Sequence, residues 1–478
     1  MHHKPLSGSR RALALPAIAA TVALVGTMAL AAPAQAATEP SSDWLAGGTT
    51  IFGRQIQLHI DYKADRGWAT ITSGDPTDEV WLDRSYDGGE TITDERLGYT
   101  TIADGEGSAE TELFDLTDAD GNKAVLRACG KAGNRPDIVC TDWVGQEPPP
   151  APTTPDRGAA DALMELYDAD TGLFTTTGWW NNANSLTALI DYAIESGDDR
   201  YDWVIANTYE KNKDAHFGDF TNEYIDDTGW WSLAWIRAYD YTGEERYLEA
   251  AKITADYMWS YRDDVCGGGL WWRNDKQYKN AVTNELFIKA AAELHNRIPN
   301  DTEYLAKSVE VWEWFDASGM INNENMINDG LVLETCESNG QTTWTYNQGI
   351  ILGGLTALHQ ATGDDQYLRR ATQLADASTR STFLNPKGIL TEPCEPDCGG
   401  DGPTFKGVYV RNLAELTAAT DNRRFVAYLQ RQAKRAYEKD RNAYNQYGIS
   451  WAGPLQQINA ASHTSAFEAQ TAPLRARR

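Results

Sequence analysis

Gly363-Asp364-Asp365-Gln366-Tyr367-Leu368 lies between two apolar runs at three-to-four spacing, with Leu352, Leu355 and Leu358 before it and Tyr367, Leu368, Ala371 and Leu374 after it. The stretch reads as the turn of a helix hairpin. Glycine ends the first helix by accepting a left-handed backbone, acidic residues open the second at its positive dipole end, and Tyr367 packs back between them. The same signal recurs at Gly197-Asp198-Asp199-Arg200-Tyr201, Gly243-Glu244-Glu245-Arg246-Tyr247-Leu248, Asn300-Asp301-Thr302-Glu303-Tyr304-Leu305 and Asp421-Asn422-Arg423-Arg424-Phe425-Val426. Its aromatic positions stand 46, 57, 63 and 58 residues apart. Five such hairpins and a helical start near Ala159 to Tyr167 make about six, enough to close into a toroid of inner and outer helices. The chain after residue 156 is therefore expected to be mostly α.

The sequence before this repeat has a different texture. Gln146 to Pro155 is rich in proline and reads as an extended linker over 146–155. Residues 41–145 show two-residue alternation, as in Ile56, Leu58 and Ile60, with turns at Ser73-Gly74-Asp75-Pro76 and Asp87-Gly88-Gly89. A small β-sandwich accessory domain is expected there. Ser85-Tyr86-Asp87-Gly88-Gly89-Glu90-Thr91 resembles the Asp-box, a structural hairpin turn of secreted proteins, with Ile92 where that motif ends in Trp. Asp118-Ala119-Asp120-Gly121 lacks the flanking ligands of a calcium loop and is read as a turn.

Residues 1–36 form a secretion signal: Lys4, Arg10 and Arg11 precede an apolar run from Ala12 to Leu30, and Ala34-Gln35-Ala36 offers a cleavage site. Ser9-Arg10-Arg11 leaves open whether the general or the twin-arginine route is used. No later stretch has the ~18 apolar residues of a membrane span, so a secreted, membrane-free protein is expected. Six cysteines suit an oxidising compartment. Their placing suggests Cys129 with Cys140, Cys394 with Cys398 and Cys266 with Cys336, although six cysteines allow fifteen pairings. Cys394-Glu395-Pro396-Asp397-Cys398 has no partner at metal-ligand spacing, so a staple is expected rather than zinc. Residues 466–478, with Arg475, Arg477 and Arg478, are expected to form a C-terminal tail.

The net charge of −27 excludes a polyanionic partner such as nucleic acid, because phosphate binding needs clustered Lys and Arg. Seventeen Trp and 22 Tyr suit a protein that stacks on sugars. Ring closure brings the starts of alternate helices to one rim, and those starts are polar and aromatic. They include Trp180 and Asn182, Tyr224 and Trp231, Asn284 and Glu285, Tyr346 and Gln348, and Lys406, all expected to bind substrate. At the centre stands Tyr224-Ile225-Asp226-Asp227-Thr228-Gly229-Trp230-Trp231. Adjacent carboxylates repel and lose solvation in a closed site, so their proton affinities should split, as a glycosidase requires. Helix capping is the plain alternative for such a pair, since Asp is favoured in first turns.

This segment, followed by Asn280 to Glu285 and by Thr345-Tyr346-Asn347-Gln348-Gly349, resembles glycoside hydrolase family 76, the bacterial and fungal α-1,6-mannanases, over roughly residues 156–465. The resemblance implies an (α/α)6 barrel, Asp226 as nucleophile and Asp227 as general acid/base. It implies no metal or other cofactor, a mannan or mannooligosaccharide partner, and an endo-acting, retaining hydrolase; a monomer is expected. Two alternatives stand beside it: a transglycosylase acting on wall glycan, and a non-catalytic mannan-binding protein in which the β-domain does the work. Trp271 and Trp272, after Gly267 to Gly269, either form a sugar platform or close the barrel end.

Overall fold

The computed structural model describes residues 41–145 and 154–477; the expected signal of residues 1–36 and most of the 146–155 linker lie outside them. Nine strands come first: β1 (Asp43–Ile51), β2 (Arg54–Asp61), β3 (Arg66–Thr72), β4 (Glu79–Ser85), β5 (Asp94–Thr101), β6 (Ala109–Glu110), β7 (Phe114–Asp115), β8 (Val125–Lys131) and β9 (Ile138–Cys140). They form two antiparallel sheets, ordered β1-β2-β3-β6 with β7 also on β3, and β5-β4-β8-β9. The alternating side chains Ile56, Leu58, Ile60, Ala69 and Ile71 of the first sheet meet Val80, Leu82, Leu126 and Ala128 of the second. The Asp-box stretch is a closed turn: Asp87 accepts from the Thr91 N–H at 2.8 Å, and the Gly89 N–H donates to Ser85 Oγ at 2.9 Å. Asp118 likewise accepts from the Asp120 and Asn122 N–H groups of its own loop.

Twelve helices follow in the described residues: α1 (Pro155–Met164), α2 (Trp179–Ser196), α3 (Trp203–Asn212), α4 (Ile225–Thr242), α5 (Glu245–Trp259), α6 (Ala281–His295), α7 (Glu303–Ala317), α8 (Thr345–Thr362), α9 (Asp365–Arg380), α10 (Phe405–Thr420), α11 (Arg423–Lys439) and α12 (Ala460–Arg475). The even-numbered helices pack side by side in a ring, α2 on α4 on α6 on α8 on α10 on α12, and α12 closes on α2. The odd-numbered helices lie outside them. Gly197, Gly243 and Gly363 end α2, α4 and α8 in the left-handed conformation at φ 75°, 71° and 72°, as the hairpin signal requires. Tyr247, Tyr304, Tyr367 and Phe425 are the buried aromatics that pack back beneath these turns. Inner helices approach closely where a side chain would not fit: a Cβ at Gly349 would stand 2.5 Å from Tyr409 Cα, and one at Gly407 would stand 2.6 Å from Ser465 Cα.

The expected tail is corrected by α12. Residues 460–473 are buried, and Arg475 reaches Asp191 at 3.4 Å and Glu415 at 3.2 Å. The sixth hairpin is closed by joining this last helix to α1, so the barrel does not stop at residue 465. Ala460 to Pro473 carries no apolar stripe because every face of the helix is covered, and small and hydroxyl residues allow the close approach to α10.

The sandwich also sits against the barrel. Leu45 of β1 is fully buried in the barrel's core cluster, and Gln446 clamps its backbone, accepting from the Leu45 N–H and donating to the Leu45 carbonyl, both at 2.9 Å. Trp44 Nε1 donates to Glu165 at 3.0 Å and Gln57 Nε2 to the Ile458 carbonyl at 3.2 Å. The first sheet is thus covered on two faces, which explains why β2 is buried at nearly every position rather than at alternate ones.

Candidate active site

Asp226 and Asp227 are the second and third residues of α4, and the open rim of the barrel forms around them as a cleft of about 480 Å³. Tyr224, the N-cap, makes no side-chain bond to the first turn, and the Asp226 carboxyl meets the backbone N–H groups of Asp226 and Asp227 there. Burial raises the Asp226 carboxyl well above the ordinary range, the adjacent Asp227 charge adds to this, and a hydrogen bond from Trp272 opposes it. Its Oδ1 is buried and has no hydrogen-bond partner among the described residues. Asp227 is raised to about 7, again mainly by burial; Asn222 opposes the rise, donating to Oδ2 at 2.6 Å, while Asp401 and Glu223 add to it. The pair therefore holds a proton at neutral pH. The proton belongs to the pair, and whatever stabilises one carboxylate assigns it to the other.

The walls are aromatic. Trp180, Tyr224, Trp230, Trp272, Tyr278, Tyr346 and Phe405 make up seven of the thirteen lining residues. Trp180 and Trp230 stack at 5.3 Å, and Tyr346 stacks on Phe405 at 3.9 Å with an interplanar angle of 5°. Four carboxylates, Asp226, Asp227, Asp329 and Asp401, line the same space, and no Lys or Arg does. Tyr278 donates to Asp329 at 2.5 Å, and Trp180 Nε1 donates to Asp401 at 2.8 Å. Such a site holds a neutral polyhydroxyl ligand by stacking and hydrogen bonding, and favours a centre that becomes positive during reaction.

Of the expected binding residues, Trp180, Tyr224 and Tyr346 line the cleft. The others do not. Asn182, Asn284 and Gln348 are each the fourth residue of an inner helix, and each clamps one buried residue of the segment before that helix. Phe174 N–H donates to Asn182 Oδ1 at 2.5 Å, and Asn182 Nδ2 donates back to the Phe174 carbonyl at 3.3 Å. Asn284 does the same with Leu270, at 2.7 and 3.2 Å, and Gln348 with Ile327, at 2.8 and 2.9 Å. The shared phase that suggested a sugar contact arises because a primary amide presents the same donor and acceptor as a strand edge. Trp231 is buried in the core against Trp235, Phe220 and Trp179, and it is Trp230, one residue and ~100° earlier on the helix, that faces the cleft. Lys406 is buried with its Nζ at 2.5 Å from Glu395 and from the Ile449 carbonyl. Glu285 is fully buried below the cleft, neither oxygen has a hydrogen-bond partner among the described residues, and burial raises it far above its ordinary value.

Trp272 lines the cleft, whereas Trp271 is buried and donates to Asp263 at 2.6 Å. The glycine run beside them wraps Lys279, whose Nζ donates to the carbonyls of Gly268 and Gly269 at 2.7 and 3.1 Å. Sequence reading missed Asn222, Asp329 and Asp401 as site residues. Asn222 stands two residues before the Tyr224 to Trp231 segment, whereas Asp329 and Asp401 lie in irregular loops that carry no periodic signal. The three expected cysteine pairs are formed. The group of metal-type ligands within reach of one another, Asp83 with Cys129 and Cys140, has both sulfurs tied in a disulfide and cannot chelate through thiolates.

The sequence profile of glycosyl hydrolase family 76 matches residues 156–477. The chain belongs to this family. Among curated relatives, mannan endo-1,6-alpha-mannosidase DFG5 of Candida albicans is 27% identical over 278 residues, which cover 52% of this chain and 61% of that protein. Mannan endo-1,6-alpha-mannosidase DCW1 of Saccharomyces cerevisiae is 28% identical, over 55% of this chain and 65% of its own length. This family 76 chain thus spans less than two thirds of either. The solved α-1,6-mannanase GH76A of Salegentibacter sp. HEL1_6, in an inactive variant altered at two aspartates and complexed with α-1,6-mannotetrose, superposes with a TM-score of 0.61. It is 24% identical and covers 67% of this chain and 98% of its own, which establishes the family 76 fold of the barrel.

Proposed function

We propose that the protein hydrolyses α-1,6-mannosidic linkages within mannan, endo-acting and with retention of anomeric configuration. The observation that carries the reading is the pair Asp226 and Asp227, both raised in proton affinity, in an aromatic cleft without a basic residue. The names of the curated relatives and the mannotetrose-bound inactive mannanase support the substrate. Asp227 protonates the glycosidic oxygen, Asp226 attacks the anomeric carbon through an oxocarbenium-like transition state, and water then releases the sugar with Asp227 acting as base. Burial raises both carboxyls, and the nucleophilic role requires Asp226 to be the ionised one. Its ionisation in the reactive complex is favoured by the Trp272 hydrogen bond and by positive charge developing on the sugar. Export is proposed too, supported by the leader of residues 1–36 and the three disulfides.

Azide separates the two roles. With an aryl mannoside whose leaving group needs no protonation, Asp227→Ala should still form the glycosyl-enzyme, and azide should accelerate turnover to an azide product of retained configuration. Asp226→Ala should give, if anything, the inverted azide. Each variant should lose at least about a thousandfold in kcat on linear α-1,6-mannan. Retained azide from Asp226→Ala, or near-full activity of either variant, would return the pair to a helix-start role.

A further inference from the structure

A second cavity, an open groove of about 530 Å³, lies where the β-sandwich meets the barrel. Its floor on the sandwich side is β2, through Gln55 and Gln57; its barrel side comes from Gln456, Gln457 and Asn459 just before α12. The remaining wall is the loop closed by Cys394 and Cys398, through Pro396, Asp397 and Gly399. That loop runs straight on to Asp401, which lines the catalytic cleft and is held there by Trp180. One short loop is therefore a wall of both spaces.

The chemistry of the groove is distinctive. It contains five primary amides, with hydroxyls from Thr72, Ser73 and Ser108, and no Lys or Arg. Glu106 and Asp397 are its two carboxylates, so it repels anions and acidic glycans. Amides and hydroxyls both donate and accept, which suits the vicinal hydroxyls of a neutral sugar. Gln55 gives the second observation. It is only 7% exposed, yet its side chain makes no hydrogen bond to any described residue. Gln55 is the second residue of β2, and its unpartnered amide is open to the groove, where it can meet whatever enters. Neighbouring Gln57 shows the contrast: its Nε2 donates to the Ile458 carbonyl and its Oε1 accepts from Thr70, which fixes the two halves of the groove relative to each other.

We propose that this junction groove is a second glycan-binding site, taking a neutral mannooligosaccharide segment by its hydroxyl edges and tethering the polymer whose other units occupy the cleft. The proposal rests on the mannan reading above. With no aromatic ring among its lining residues, the groove binds weakly alone and acts by raising the local concentration of polymer at the cleft. Short substrates that cannot reach both spaces gain nothing from it.

The test uses the full chain. Gly107→Trp blocks the groove, because a side chain there enters open space and the backbone is not in the left-handed region. Gln55→Leu removes the free amide while keeping its volume. Binding of α-1,6-mannotetraose to the Asp226→Asn/Asp227→Asn protein, followed by calorimetry and NMR, should show two sites. Adding Gly107→Trp should leave one, and adding Gln55→Leu should weaken the second by roughly tenfold. In the protein with both aspartates intact, Gly107→Trp should raise KM on polymeric mannan about three- to tenfold and leave an aryl mannoside unaffected. A single site indifferent to Gly107→Trp overturns the proposal and leaves the mannanase reading standing. A single site abolished by Gly107→Trp but kept in Trp180→Ala supports the groove and counts against the cleft. No binding at all overturns both.

Discussion

The two ends of the barrel bury carboxylates in opposite ways. At the rim, Asp226, Asp227 and Asp329 face no basic partner in the cleft, and burial drives all three upward. At the far end a cavity of about 380 Å³ is lined by Asp191, Asp240, Glu293 and Glu415 interleaved with Arg237, Lys289, Arg297, Arg411 and Arg475. Burial alone would raise Asp191, yet Arg237 at 2.5 Å, Arg475 and Arg411 hold it down to about 2. Glu415 is likewise kept below its ordinary value against its own burial by Lys289 at 2.6 Å and by Arg475. Glu468 marks the boundary of this behaviour: buried beside Arg411, it is still raised to about 7. The inner helices present their N-terminal residues to the rim and later turns to the far end, where acidic and basic side chains alternate. The same scaffold thus neutralises charge at one end and leaves it uncompensated at the other, where chemistry needs it.

Breaking the compensated end should have the largest effect on stability. Asp191→Ala leaves Arg237 with only the 3.5 Å contact to Asp240 among the described residues and takes from Arg475 one of its carboxylates, so it should cost about 3–5 kcal/mol in urea unfolding, while kcat of the folded protein stays unchanged. The uncompensated end should behave oppositely. Because the folded state holds the Asp227 proton up to about pH 7 and the unfolded chain releases it near its ordinary value of 3.8, stability falls as pH rises through that window. Asp227→Asn should therefore raise stability by about 2–4 kcal/mol at pH 8 and by little at pH 4, read from the pH dependence of Tm.

Clamps and contacts on the same rim can be told apart next. Asn284→Leu leaves the Leu270 N–H and carbonyl unpaired and should cost about 2 kcal/mol of stability. Its KM should stay near that of the parent protein. Tyr346→Ala, which opens the stacked wall on Phe405, should raise KM by roughly tenfold, beyond any loss of stability. The smallest effect is expected at Asn222. Its amide stabilises the Asp227 carboxylate, so Asn222→Ala should raise that proton affinity and move the basic limb of kcat/KM upward by about half to one pH unit. A downward shift would mean that Asn222 does not act through Asp227.

The amino-acid sequence by itself determined the hairpin unit, because three-to-four apolar spacing and a left-handed glycine are local properties of the chain. It also determined the Asp226 and Asp227 pair, whose aromatic setting is written in consecutive residues. Tertiary structure decided what each polar residue at a helix start does. Asn182, Asn284 and Gln348 are fourth residues of their helices and Trp180 and Tyr346 second residues, ~200° apart, so once the helix starts are fixed the amides point inward to a backbone and the aromatics outward to the cleft. Asp329 and Asp401 reach the pair from loops whose course is fixed by packing, not periodicity. The closing helix α12 escaped notice for a related reason. A helix covered on every side needs no amphipathic pattern, so burial itself erases the signal from which it would have been read.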